Sequence, residues 1–373
     1  MVSRWTESYL DELRLQGDPP ADRVIADLRS NQATADVNRL LVDLIRADEI
    51  PPGLPDSVVT YLETTREVPP WTDRDKIAHA NRLFGRWGRQ VLLILGFAAL
   101  QEGYCHAKLA QTLLVGSRMA SDPKRRVIET SQLLIDVLEP GGLDPDGKGI
   151  RTVQKVRLMH AAMRTLIPES DDYDPDWGLP VNQEDLASTL TTFSWLTLDL
   201  LPHLGVRLND DDREAYIHTW RVIGFVLGIR EDALLTDMAD GAALVDAIRR
   251  RHYKASEAGR VLARALTDVY EELLPGTVFD GVPSAMIRDL IGNTYADMVG
   301  VPQANWTRHL KVIGVMIARL RSLLPRSGPF EDVASRLGFA MTEGLLSLER
   351  GGERPAFSIP VELQRQWEVG KQA

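Results

Sequence analysis

Residues 91 to 116 are apolar on nearly every side of a helix, and they begin with the ten-residue run VLLILGFAAL at positions 91–100. A helix that is hydrophobic all round has to be surrounded by protein or by lipid. The run is too short to cross a bilayer, which takes about 20 apolar residues. The segment therefore predicts a buried helix, or a pair of helices, at the centre of the fold, and no stable membrane insertion.

Apolar residues at three- and four-residue steps, the spacing of amphipathic helices, dominate the rest of the chain. We find no alternation typical of a major β-sheet and no internal repeat. Helices are predicted at about 33–50, 123–139, 150–166, 186–205, 209–231, 240–271, 282–299 and 303–324. We expect one all-α domain over residues 1–373, with an N-terminal helical extension at about 1–70, a core at about 71–330 and a C-terminal segment at about 331–373.

Two helix starts carry capping signals. In NQEDL (182–186) Asn182 stands three residues before Asp185, which is the spacing of a capping box. The run DDD at 210–212 places acidic groups where a helix begins and where its dipole favours negative charge. Both patterns indicate that a helix starts at these points.

Composition and charge exclude several classes of function. The chain has 373 residues and a formal net charge of −10, whereas a nucleic-acid partner requires a basic face. Cys105 is the one cysteine, so there is no internal disulfide, no CxxC zinc site and no CxxCH attachment of c-type haem. The N-terminus lacks the apolar core of a signal peptide, which predicts a cytoplasmic location. The sequence does not indicate an oligomeric state.

Familiar catalytic motifs are missing. The dinucleotide fingerprint, the phosphate-binding loop, the GxSxG elbow and the HExxH zinc motif do not occur. The acidic run DDYDP (171–175) lies among prolines and is read as a solvated turn. Cys105 lies in a helical stretch and is predicted to be a buried structural thiol, while the neighbouring His106 is ambiguous.

Two predicted helices place polar groups on an apolar stripe. On the first, Arg126, Glu129 and Thr130 share a face with core leucines. On the second, the same spacing groups Arg157, His160 and Arg164, next to Met159 and Met163. An imidazole framed by apolar side chains, with cations one turn away, suits a haem: a ring nitrogen would bind iron, and an arginine could pair with a propionate.

The spacing alone leaves a plainer interpretation open. A single histidine on an apolar helix face is more often a hydrogen-bonded core residue. The arginines could form the solvated edge of the helix, and Glu129 could pair with one of them in an ordinary ion pair.

The segment RTVQKVRLMHAAMR (151–164) closely resembles the haem-ligand helix of the latex clearing proteins. These rubber oxygenases belong to a wider family that includes a membrane-bound oxygenase of mycophenolic acid synthesis. The resemblance extends to RVIET (126–130), WGLPVNQEDLASTLTTFSW (177–195) and WRVIGFVLGI (220–229), and weakly to the FSIPVELQRQW tail. It covers about two thirds of the chain.

The resemblance implies a globin-like helical core around haem b, with His160 as the iron ligand. Arg157, Met159, Met163 and Arg164 would be further haem-binding positions on that helix. The family's distal helix carries an Arg-x-x-Lys-Thr pattern, whose ends match Arg126 and Thr130, but Glu129 stands at the lysine position. We therefore expect an open or water-bound distal site, with Arg126 and Thr130 orienting bound oxygen and Glu129 acting as base or proton carrier.

The function implied is that of a haem b-dependent oxygenase. It would use dioxygen on a small hydrophobic, unsaturated, isoprenoid-like substrate, by C=C cleavage or by hydroxylation. The alternative is a haem-binding sensor or carrier without turnover. A third possibility is a haem-free helical scaffold in which His160 is a core residue. The sequence does not name the substrate.

Overall fold

The computed structural model describes residues 3–30, 54–116, 122–272 and 281–304. Over these ranges the chain forms helices and no strand, which confirms the predicted all-α class. The helices are α1 (Glu7–Arg14), α2 (Pro19–Ser30), α3 (Asp56–Thr64), α4 (Arg74–Ile94), α5 (Leu100–Gly103), α6 (Ala107–Gly116), α7 (Pro123–Leu138), α8 (Lys148–Leu166), α9 (Gln183–Thr191), α10 (Thr197–Leu200), α11 (Asp210–Val226), α12 (Met238–His252), α13 (Glu257–Glu272) and α14 (Val282–Met298). The helices predicted at 33–50 and 303–324, and the segment 331–373, lie outside the described residues.

The apolar segment 91–116 forms a pair of helices, one of the two predicted arrangements, because α6 begins at Ala107 after a break. α4 continues through a π-helical turn, Leu95–Ala99, into α5, so that Arg74–Gly103 is one helical stretch. Among the described ranges it is the one stretch that could cross a membrane by length and composition. However, 61% of its most apolar window is buried inside the protein, as expected of a core helix.

Helices begin at both predicted points, and the predicted cap at Asn182 forms. At the start of α9, Asn182 Oδ1 accepts a hydrogen bond from the Asp185 backbone N–H at 2.9 Å. The Asp185 carboxylate in turn accepts from the side chain of Asn182, Nδ2 to Oδ2 at 3.0 Å. At the start of α11, Asn209 and Asp212 form a complete capping box.

The single helix predicted at 240–271 is wrong, because the chain breaks between α12 and α13. Residues 253–256 contain neither glycine nor proline, but Ser256 caps α13, since its Oγ accepts a hydrogen bond from the Gly259 backbone N–H at 3.0 Å. In addition, Tyr253 is extended and forms an isolated β-bridge with His106, and Lys254 N–H donates to the Cys105 carbonyl at 3.0 Å. This cap and the tertiary pairing with the segment between α5 and α6 together override the helical pattern.

The helix that carries His160 is buried on nearly every side. α8 packs against α2 on one flank and α7 on the other. The side chains of Leu10 and Val24, from α1 and α2, belong to the same hydrophobic core as Val153 and Leu158 of α8. The N-terminal helices thus help to position the histidine helix.

Candidate active site

A mostly apolar cleft lies between α6, α7, α8 and α9. Its enclosed part has a volume of about 120 Å³, and about 810 Å³ of space is counted when the open mouth is included. It is lined by Leu109, Thr112, Leu113, Gly116, Arg126, Glu129, Met159, His160, Met163, Val181, Asp185, Leu186, Thr189 and Leu227. The cleft therefore brings together five of the residues predicted for the site, from two different helices.

His160 lies in the wall of this cleft as a half-buried ring. Burial, and then the charges of Arg164 and Arg126, lower its pKa from 6.5 to about 3, so the imidazole is neutral near pH 7. Its Nδ1 is buried and makes no hydrogen bond within the described part of the chain. This is not the hydrogen-bonded core histidine of the plainer interpretation. It is a neutral imidazole on an apolar cavity, which is the form that binds a metal.

Glu129 is buried between two arginines of its own helix. Its Oε1 lies 3.1 Å from Arg125 Nε, and its Oε2 lies 3.5 Å from Arg126 Nη1. An ordinary ion pair is thus present, but its partners come from α7 and not from α8. Thr130 is not part of the cleft lining, and its Oγ1 donates to the Arg126 carbonyl at 2.9 Å.

Arg157 and Arg164 have their partners on α2 and just before it. The two nitrogens of Arg157 that face Asp18 lie 2.5 and 2.7 Å from its carboxylate oxygens, and a third donates to the Val226 carbonyl at 3.0 Å. Arg164 Nε lies 2.7 Å from Asp22 Oδ1. Neither arginine lines the cleft, and neither forms a solvated edge, because both are buried. Their predicted role as haem-binding residues stays untested.

Val181 gives the cleft a strained backbone position. It has φ of 50°, the only positive φ of a non-glycine residue in the described ranges. A β-branched residue is rarely found there, and such strain costs on the order of 1–3 kcal/mol. Its carbonyl accepts from Arg164 Nη1 at 2.9 Å, which helps to hold the conformation. No local signal in the sequence indicates this strain.

Asp185 is the ionisable residue of the cleft lining that sequence reasoning did not assign to the site. It was expected only as a helix cap, yet its buried side chain lines the same cavity as His160. Burial raises its pKa from 3.8 to about 6, although Arg14, 3.2 Å from Oδ1, works in the opposite direction. The signal available was the polar run NQED at the head of a strongly apolar helix.

Comparison with known proteins places the chain in a family of oxygenases. Residues 82–323 match the family described as "ER-bound oxygenase mpaB/B'/Rubber oxygenase, catalytic domain". The chain is 26% identical over 349 residues to the rubber oxygenase of Streptomyces sp. (strain K30), across 92% of this chain and 85% of that protein. It is also similar to the structure of latex clearing protein in the closed state, with a TM-score of 0.77, 24% identity and coverage of 93% and 94% of the two chains.

Proposed function

Because the chain belongs to the ER-bound oxygenase mpaB/B' and rubber oxygenase family and is an oxygenase, we propose that it acts through haem b bound in the cleft at His160. The family membership favours an enzyme over the alternative of a haem carrier without turnover. The observation that carries the proposal is a neutral imidazole on an apolar cavity, whose buried Nδ1 has no hydrogen-bond partner among the described residues.

The residues of the cleft fit this cofactor. His160 would hold the iron, and the thioether side chains of Met159 and Met163 would cover the porphyrin beside it. Arg157 and Arg164 would support haem binding by fixing α8 through their carboxylate partners. When bound, the haem supplies the binding and activation of dioxygen.

The polar side chains on α7 would accept a proton and orient an oxygen atom in the cleft. Arg125 and Arg126 lie against the Glu129 carboxylate, and its Oε1 or Oε2 would hold a water molecule or accept a proton. Arg126 would orient an oxygen atom of the substrate or of water. Thr130 would steady the turn through its bond to the Arg126 carbonyl.

The remaining lining sets the substrate class. Leu109, Leu113, Leu186 and Leu227 offer aliphatic surface with few hydrogen-bond partners. Such a cavity suits a small hydrophobic, unsaturated, isoprenoid-like molecule. We propose oxidative C=C cleavage to carbonyl products, with hydroxylation as the competing reaction.

The absorption spectrum of the purified protein, produced with haem supplied, tests this proposal. We expect a Soret band in the wild type that is lost in His160→Ala. His79→Ala is the matched control. His79 lies on α4 and does not line the cleft, and its Nε2 is 2.7 Å from Asp212 Oδ1 on α11. Full haem content in His160→Ala would contradict the assignment.

Turnover is measured on the haem-loaded protein with reductant, dioxygen and a panel of isoprenoid and other unsaturated compounds. We expect a substrate-induced spectral shift and an oxygenated product for at least one of them. Haem binding without shift or product across the panel would contradict the proposed substrate class.

A further inference from the structure

A group of ionisable side chains, all of them buried except the half-buried Arg251, lies behind the α9 wall of the cleft. It consists of Arg14, His106, Glu184, Asp185, Arg251 and His252. Asp185 is the member that also lines the cleft. A proton that Asp185 gains or loses would therefore pass through the cavity, and the change in charge would act on the other side chains of this group.

Asp185 can exist in both protonation states. As a carboxylate it is supported by Arg14 Nη1, 3.2 Å from Oδ1, and by Asn182 Nδ2, 3.0 Å from Oδ2. Burial opposes that charge and raises the pKa to about 6. Two donors are fewer than the four lone-pair sites of a carboxylate can accept, so capacity remains for a third.

His106 has the donor that could fill this capacity. Its Nδ1 accepts the Leu109 backbone N–H at 3.1 Å, so the proton of the neutral ring is on Nε2. That Nε2 is buried, makes no hydrogen bond within the described residues, and lies 3.9 Å from Asp185 Oδ1. Burial also lowers the pKa of His106 well below 6.5, which keeps the ring neutral.

The group continues to the protein surface. The His106 ring stacks on His252, with 4.2 Å between ring centroids, and His252 Nε2 lies 3.0 Å from Glu184 Oε1. Glu184 Oε1 is also 3.0 Å from Arg251 Nε, and Arg251 reaches the exposed carboxylates of Glu7 and Asp11. Charge lost or gained at Asp185 can thus be balanced by groups that end in solvent.

We propose that Asp185 is a second acid–base residue of the cleft, with His106 as its positioning residue. This inference rests on the proposed function, since the acceptor is an oxygen atom of substrate or water in the same cavity. The O–H bond of the Asp185 carboxyl breaks, and the proton forms a new O–H bond on the acceptor. The resulting carboxylate is held by Arg14, by Asn182 and by His106 Nε2–H, which closes the 3.9 Å gap. Asp185 regains its proton from water.

Other charged groups share the cavity and enter the same titration. Across the cleft these are Arg126, Glu129 and His160. These three residues are still present when Asp185 is replaced. A titration step that disappears in the Asp185 variant, while the other steps stay, is therefore assigned to Asp185.

Carbon-13 NMR of the protein without haem, labelled at the aspartate carboxyl carbons, tests the titration. We expect one resonance with a midpoint near pH 6 that is absent from Asp185→Asn. In His106→Leu the midpoint should rise, because the carboxylate loses a donor. If every aspartate carboxyl titrates below about pH 5, the proposal is overturned, and the wild type alone decides this even if a variant fails to fold.

Turnover against pH in the haem-loaded protein tests the role. We expect wild-type turnover to fall as pH rises through about 6, and Asp185→Asn to be at least 10-fold slower with that limb removed. Glu102→Gln is the matched control, since Glu102 is a buried carboxylate paired with Arg249 at 2.6 Å that does not line the cleft. An unchanged pH profile in Asp185→Asn would overturn the proposal. If the protein does not bind haem, the proposed function is contradicted, but the NMR titration of Asp185 still tests the present inference because it is measured without haem.

Discussion

Arg157 donates two parallel hydrogen bonds to the Asp18 carboxylate, Nε to Oδ2 at 2.5 Å and Nη2 to Oδ1 at 2.7 Å. Both side chains are buried, and the pair joins the start of α2 to the middle of α8. A carboxylate just before a helix also complements the positive end of the helix dipole. The pair therefore ties the N-terminal helices to the helix that carries His160.

Replacing Asp18 by Asn should be strongly destabilising. The change leaves the Arg157 guanidinium buried without its counter-ion, which costs about 3–5 kcal/mol in the free energy of unfolding. Urea denaturation measures this loss. Glu214→Gln is the control, because its partner Lys76 and Glu214 itself are exposed and such pairs are worth less than about 1 kcal/mol. Equal losses in the two variants would show that the Asp18 pair has no special importance.

Replacing Gly228 by Ala should disturb the same ion pair by steric contact. Gly228 has φ of 88°, and a Cβ there would lie 2.5 Å from Arg157 Nε and 2.5 Å from Asp18 Oδ2. Gly292 provides the matched control, since its φ is 77° but nothing lies within 4 Å of an added Cβ. Gly292 has ψ of 164°, a region essentially confined to glycine, so we expect Gly292→Ala to cost about 1–3 kcal/mol from backbone strain alone, and Gly228→Ala to cost more. Thermal denaturation of both variants would reveal the difference, and identical values would contradict it.

Glu129 can be tested by changing its charge and its length separately. If it accepts a proton, Glu129→Gln should lower turnover by about 10²–10⁴-fold and leave the haem spectrum unaltered. Glu129→Lys should also change the spectrum, because it places an ammonium group in the cavity. Asp136→Asn on the same helix is the control: Asp136 is buried and bonded to Thr152 at 2.6 Å, away from the cleft. A spectrum unaltered by Glu129→Lys would place residue 129 away from the haem.

His160 should make the stability of the haem-free protein depend on pH. Its pKa is about 3 in the folded state and 6.5 as an ordinary histidine, so the unfolded chain binds the extra proton between these values. Its contribution is therefore fully present above about pH 6.5 and is lost as pH falls toward 3. From pH 8 to pH 5 the wild type should lose about 2 kcal/mol more than His160→Leu does.

Urea denaturation of the wild type and of His160→Leu, at several pH values, gives this difference directly. The other titrating groups, Asp185 among them, are present in both proteins and cancel in the comparison. Parallel stability curves for the two proteins would show that the ring is not desolvated in the cleft.

Much of the fold could be predicted because it depends on local signals. The helix predicted at 150–166 is Lys148–Leu166, and the one predicted at 123–139 is Pro123–Leu138. The cap at Asn182 was readable from side chains three residues apart. The break between α12 and α13 was not predicted: Ser256 was a local signal for it, whereas the pairing with a segment about 150 residues away has no local signal.

The site was predictable only where helical spacing decides which residues share a face. That spacing, with the family resemblance, brought His160, Met159 and Met163 together and placed Arg126 and Glu129 opposite. It could not show that the long side chains of Arg157 and Arg164 turn toward α2, nor that the Asp185 carboxyl reaches the cavity. These outcomes depend on distant partners, and a single sequence does not display them. The cytoplasmic location and the domain limits stay predictions.

The two carboxylates at α2 and their arginines on α8 are separated by 139 and 142 residues along the chain. Closing loops of this length costs entropy before any contact is gained, so such contacts form late in folding. During synthesis the α2 carboxylates leave the ribosome well before the guanidinium groups that pair with them. We expect α8 to reach its final position only when most of the domain has been synthesised. A cofactor would then bind at His160 only in a chain that has completed its fold.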